Sequence, residues 1–426
     1  MRALTAASGL ALLAVLAGNL LRIPLLAGGA AGGAGGTGGA VGKGAPLLPL
    51  DLAVALILML GVVEALRERR WPIDRAMQWG LAFVLLAAIG LFTAPMRLDL
   101  PWRDLLFSAA YLARWSGYLG VGLVLGTFLR GREALTLVRW FGVIVLCFAA
   151  FGIVQSLFIP GFAQWVYPES AVYLDWDPQG HRLVSTFLDP NYAGILIVTG
   201  LCWWGGRLAA GMRAPLAEGA VLGVALLMTL SRGAMLAFMA ATLTLLLARG
   251  VSRRVLKASL MATGVLVAAL PLLARYAGAY GKLTIDASAL QRLLAWQRAW
   301  TLLADHPWLG IGFNTAGFVQ SRYGWNAAGA SSFGLDGGLL FIAALTGVLG
   351  LGCFVAMLAA LVRAARRLWQ DDRPADERAV GYAAAASVVA VTVQATFANT
   401  FLLALMLLPC WILWSAPLAL RRGVEE

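Results

Sequence analysis

Few residues of this 426-residue chain are equipped for chemistry, and they gather in three places. A polar island from Arg275 to Asp336 carries Arg292, Trp296, Arg298, Trp300, Asp305 and His306 around its middle. A second stretch, GHRLVSTFLDPNYAG at 180–194, carries His181, Arg182, Asp189 and Asn191. The third is the single polar point Ser231-Arg232-Gly233 inside the apolar run 216–249. Arginine stays charged at any working pH, and its planar fork matches the oxygens of a phosphate. Such a donor, placed where negative charge develops, contributes about 3–4 kcal/mol to a transition state. A hydroxyl nucleophile would also need a base. His306 and His181 are poised near neutrality for that role, and Asp336 would need its pKa raised by burial.

The elements that must position these groups follow from composition. The chain is 61% hydrophobic and 13% charged, with a mean hydropathy of +0.80, which excludes a soluble domain of this length. A crossing takes about 20 mainly apolar residues. Twelve segments qualify, near 4–26, 47–67, 77–94, 107–129, 135–158, 190–206, 216–231, 233–249, 257–274, 337–362, 379–398 and 400–420. As one helix, 216–249 would run about 50 Å, so two short spans meeting at Ser231-Arg232 are predicted. The fold class is therefore an all-α polytopic membrane protein of about twelve helices, forming one integral domain over 1–426. The N-terminal apolar run reads as the first span rather than a removed signal.

With the N-terminus in the cytoplasm, 21 of the 33 Lys and Arg fall on the cytoplasmic side and 11 opposite, with Arg114 inside a span. The net charge of +12 is then an orientation signal, and no nucleic-acid partner is implied. Cys147, Cys202, Cys353 and Cys410 lie inside apolar spans, and no disulfide is expected. Two long loops, 159–189 and 275–336, and the Ser231-Arg232 turn share the outer face, so a site would face out. Gly28–Gly44 reads as a flexible outer loop. In the large loop, Asp286 can cap a helix whose apolar stripe is Leu293, Trp296, Trp300 and Leu303, closed by Pro307. That spacing predicts an amphipathic helix at the membrane surface.

Each candidate has a structural reading beside the chemical one. Asp189 and Asn191 can simply cap the sixth span, Asp336 the tenth, and His306 can end the amphipathic helix. Arg114 can pair with a carboxylate or snorkel outward, and Arg298 can face headgroups. Asp175 and Asp177 around Trp176 suit a solvated loop, or a cation or sugar. An ionisable group between apolar spans, as at Arg232, is expensive and usually functional.

STFLDPNYAG after an Arg, LSRGAMLAF at 230–238, and R-x3-W at 292–296 followed by DHPWLGIGFN together resemble the O-antigen polymerase and O-antigen ligase superfamily over roughly 140–350. The resemblance implies a GT-C-like glycosyltransferase of the bacterial inner membrane, with both termini cytoplasmic and a periplasmic site. Its donor would be an undecaprenyl diphosphate-linked glycan and its acceptor a sugar hydroxyl. No metal or other cofactor is implied, and a chain-length regulator would be a further partner beside the lipid bilayer. The family's functional arginines fall on Arg182, Arg232 and Arg292, with His306 and Asp336 as catalytic and His181, Asp189, Asn191 and Trp296 as substrate-binding candidates. Ligases of the superfamily typically carry a His before the span after the long loop. This chain has Ser331 to Asp336 there, which favours a Wzy-type polymerase of oligosaccharide repeats over transfer to lipid A-core. A lipid-linked sugar flippase would want charges along the bilayer midplane, where these spans have almost none. A scaffold is the third class, and it should tolerate loss of Arg292.

Overall fold

The structure, a computed structural model, describes residues 2–21, 23–24, 46–69, 73–168, 181–250, 261, 287–325, 337–370 and 372–422. Its helices are α1 (Arg2–Ala17), α2 (Pro49–Glu68), α3 (Arg75–Leu98), α4 (Trp102–Phe128), α5 (Gly131–Phe158), the short α6 (Phe162–Val166), α7 (Pro190–Ala209), α8 (Leu216–Met228), α9 (Arg232–Ala248), α10 (Ala287–Asp305), the short α11 (Ala316–Val319), α12 (Gly338–Gln370), α13 (Ala375–Ala395) and α14 (Ala404–Arg422). A two-residue antiparallel pair, Ile23–Pro24 with Pro46–Leu47, is the only sheet among the described residues. By length and composition six helices, α2, α3, α5, α12, α13 and α14, suffice to cross a bilayer, with α1, α8 and α9 as shorter apolar helices. The chain is a polytopic helical membrane protein. The predicted span at 257–274, the Gly28–Gly44 loop, the Asp286 cap, Asp336 and the Asp175–Asp177 pair lie outside the described residues.

The centre of the bundle is α13 and α14. Alanine-rich α13 packs along α7, α9 and α12, while α14 runs beside α4 and α5. Small residues allow this approach, as membrane interfaces require. A Cβ at Gly206 would come within 2.6 Å of the Ala379 carbonyl. On the outside, α2 and α3 expose Leu56, Met59, Leu66, Leu85 and Phe92, a surface that suits lipid rather than water.

Two helix interruptions shape the functional end. The first separates α8 from α9 at Thr229–Ser231, as the polar point in the apolar run predicts. At 1.5 Å per residue each of these helices is only about 20–26 Å long. The second lies inside α12, where Gly347 takes φ 68° and ψ −176°. The loop 306–314 fills that break. Ile311 N donates to Ala344 O (2.9 Å), Gly312 N to Leu345 O (3.0 Å), and Val348 N to Pro307 O (2.7 Å). Arg97 secures the same loop, donating to the carbonyls of Gly310 (2.7 Å) and Gly90 (2.8 Å).

The amphipathic helix α10 is present, with small residues on its packed side. Ala299 and Leu302 are fully buried and Ala295 nearly so, whereas Leu293 and Trp300 are 58% and 65% exposed. Of the predicted stripe, Trp296 packs inward while Leu293 and Trp300 stay exposed. Beside a membrane the large apolar groups can turn to lipid, leaving the small ones to meet other helices.

Candidate functional site

The segment before α7 is threaded through the end of the bundle by side-chain hydrogen bonds. Gln155 Oε1 accepts from Val184 N (3.2 Å) and Ser185 N (3.1 Å), and the Ser156 hydroxyl donates to His181 O (2.7 Å). A 3-10 turn at Ser185–Phe187 and a left-handed Leu188 (φ 57°) then aim the chain into α7. Asp189 caps that helix, accepting from Asn191 N (2.7 Å) and Tyr192 N (3.2 Å), with Pro190 in the first turn. The capping role expected for Asp189 is thus in place.

This segment crosses to the first helix break. Leu183 N donates to Met228 O (3.0 Å), and the buried Arg182 donates through Nε to Thr229 O (3.0 Å). Ser231 caps α9 through Ala234 N (3.4 Å), and its hydroxyl donates to Asn191 Oδ1 (2.9 Å). The N-termini of α7 and α9 consequently almost touch, since a Cβ at Gly194 would sit 2.7 Å from Ala234 Cβ. Arg232 is the first residue of α9 and is half-buried. The dipole of α9 favours an anion at its N-terminus, while the N-terminus of α7 is already capped by the Asp189 carboxylate.

Helix α10 closes over this point. Trp296 Nε1 donates to Thr396 O (3.2 Å), and its ring lies 6.1 Å from that of Phe397. Phe397 in turn packs at Gly233, in the first turn of α9. Arg292 lies about one turn before Trp296 and is half-buried. Its charge reaches Asp189. Burial raises the Asp189 carboxyl above its ordinary value, opposed by its two backbone hydrogen bonds and by the charges of Arg182 and Arg292. Arg182, Asp189, Asn191 and the Ser231-Arg232 turn thus share one place, with Arg292 and Trp296 brought to it by α10.

Other candidates lie elsewhere. His306 is fourteen residues beyond Arg292, about 21 Å along the same chain direction at helical rise. It begins the loop that fills the α12 break. Its pKa is lowered by burial and by Arg97, with Asp305 opposing. Asp305 accepts from the Tyr323 hydroxyl (2.8 Å), and burial with that bond pushes Tyr323 up to about 12. Arg298 stacks over Trp325 at 5.3 Å and donates to Gln320 (3.4 Å). His181 is exposed next to Arg182. Arg114 forms a two-pronged pair with Asp51 at 2.8 and 2.7 Å, joined by the Tyr118 hydroxyl at 3.0 Å, which is the structural role. Among the described residues no three His, Cys, Asp or Glu groups gather as a metal-ligand set.

Sequence reading passed over the linker from α13 to α14. Gln394 Nε2 donates to Asn191 O (3.4 Å), the Thr400 hydroxyl donates to Gln394 Oε1, and Asn399 lies between them in the chain. The only signal was the polar pair Asn399-Thr400 where two spans were drawn almost end to end.

Residues 219–355 match the family model described as O-antigen ligase. That stretch, roughly a third of the chain, contains the α8–α9 break, Arg232, Arg292, Trp296, His306 and the first half of α12. No curated protein matches the chain. Over that stretch the chain is similar to the O-antigen ligase and polymerase superfamily.

Proposed function

We propose that this protein is a GT-C-like glycosyltransferase of twelve crossings that moves a glycan from undecaprenyl diphosphate to a sugar hydroxyl at the periplasmic face of the bacterial inner membrane, extending a polysaccharide by repeats. The observation that supports it best is the meeting of Arg182, Arg232 and the N-termini of α7 and α9, with Arg292 near enough to act on Asp189. The donor's diphosphate fits there. As the anomeric C–O bond to the diphosphate breaks, negative charge grows on its oxygens, and fixed guanidiniums meet it without reorganising. The acceptor oxygen bonds to the anomeric carbon and gives up its proton. Asp189 is the carboxylate among these arginines, and a pKa raised by burial improves it as the base. His306, at the far end of α10, is assigned to the loop and not to this step.

Polymerase is preferred to ligase on the Ser331–Asp336 sequence where a ligase His is expected. The glycan profile of a deletion strain separates them. Long chains should vanish while a single repeat stays attached. Loss of every attached repeat would make the protein a ligase, and an unchanged profile would remove the proposal.

A further inference from the structure

The linker of α13 and α14 unwinds for eight residues, 396–403, at the end of the bundle where the arginines meet. With Gln394 at the end of α13, it contacts α7, α9 and α10. Gln394 bonds Asn191 at the start of α7, Phe397 packs at Gly233 in α9, and Thr396 takes the hydrogen bond of Trp296 in α10.

Irregular backbone at such a place must be satisfied locally, and nearly all of it is. Thr396 Oγ1 donates to Val393 O (2.7 Å), Thr400 N to Ala398 O (2.9 Å), and Leu402 N to Asn399 O (3.0 Å). Phe401 O accepts from Trp115 Nε1 (2.9 Å). The exception is a side chain. Asn399 is only 9% exposed, and its Oδ1 has no hydrogen-bond partner among the described residues. A buried amide oxygen left unpaired is costly, so a native chain retains one for a reason.

We infer that Asn399 is a glycan-binding residue whose side-chain oxygen accepts a hydrogen bond from a sugar hydroxyl of the substrate beside the arginines. The class of ligand follows from the atom. An acceptor oxygen cannot bind the oxygens of an ionised diphosphate, whereas every free sugar hydroxyl is a donor. The site is thereby divided, with guanidiniums for the phosphates and a neutral amide for the sugar. This rests on the transferase reading above and adds a residue to it.

The test uses the full-length protein in nanodiscs, with an undecaprenyl diphosphate-linked oligosaccharide as donor and acceptor and inorganic pyrophosphate as a binding probe. Asn399→Leu keeps the approximate volume and removes the acceptor; Asn399→Ala is the second variant. Transfer should fall about 10-fold in kcat/KM, the scale of one lost hydrogen bond to substrate. Pyrophosphate affinity should stay at the wild-type value and the melting temperature of Asn399→Leu should not fall, because no protein partner is left unpaired. Wild-type kcat/KM in both variants would overturn the inference while leaving the transferase intact, provided Arg292→Ala still weakens pyrophosphate binding. Loss of the fold in both would make Asn399 structural and also overturn it. If the wild-type protein neither transfers nor binds pyrophosphate, the transferase reading falls and takes Asn399 with it.

Discussion

The two interrupted helices at this end of the bundle are broken in different ways. At Gly347 the freed carbonyls of Ala344 and Leu345 are taken by backbone N–H groups of Ile311 and Gly312, and the contact is lined by glycines. At Thr229–Ser231 one backbone bond, Leu183 N to Met228 O, is joined by side chains: Arg182 on Thr229 O, and Ser231 on Asn191. A break closed backbone to backbone leaves nothing for a ligand to bind and serves to lock a loop. A break held by charged and polar side chains, where two helices begin side by side, concentrates groups that can act on a substrate. The DHPWLGIGFN motif belongs to the first kind and the LSRGAMLAF turn to the second.

The contrast breaks most violently at the glycines. Gly310 (φ 65°) would place a Cβ 2.4 Å from the Leu345 carbonyl carbon, and Gly347 (φ 68°) 2.1 Å from Trp308 O. Alanine at either adds left-handed strain of about 1–2 kcal/mol to overpacking of about 1–3 kcal/mol. That is a large share of a typical folding free energy. Both variants should lose most of their monodisperse protein after detergent extraction. Gly211→Ala is the control, since Gly211 has φ 78° and nothing within 4 Å of its Cβ position. Equal yields for all three would mean that the α12 break is not structural.

The second break should separate activity from stability. Arg292→Ala is expected to lower transfer about 100-fold, the effect of one charge-stabilising donor, with little change in melting temperature. Arg182→Ala should match that loss and also melt earlier, because Thr229 O loses a buried hydrogen bond worth about 1–3 kcal/mol. Normal transfer by Arg292→Ala would sink the arginine site.

What the residue pattern revealed, and what it hid, follows the same division. Ser231-Arg232 was visible because a charge inside a long apolar run has few bland explanations, and Asp189-Pro190 because capping is local chemistry. The apolar stripe of α10 was visible, but that Ala295 and Ala299 form its packed side was not, because beside lipid small residues meet other helices. The pairing of Gly310 with the Gly347 break joins residues 37 apart through backbone atoms, which no side-chain pattern encodes. Asn399 was hidden because its meaning is the absence of a partner in three dimensions.

The pH dependences assign the two titrating groups to opposite roles. Asp189 has a raised pKa, so if it is the base its ionised form, and hence transfer, should grow as pH rises through a value above the ordinary 3.8. Asp189→Asn keeps the cap of α7, because Asn caps as well as Asp. It should therefore fold normally, lose this acid limb and transfer about 100-fold more slowly. His306, set between Arg97 and Asp305, has a folded pKa below the ordinary 6.5. Its neutral form is thus favoured by folding. The unfolded chain binds more protons in the window just below 6.5, and stability is full above that value and lost as pH falls through it to the folded pKa. Melting temperature should decline on acidification over that range, and His306→Gln should flatten the decline while leaving the pH dependence of transfer unchanged. An acid limb that disappears in His306→Gln but persists in Asp189→Asn would exchange the two roles, and would require α10 to bring its far end to the arginines during turnover.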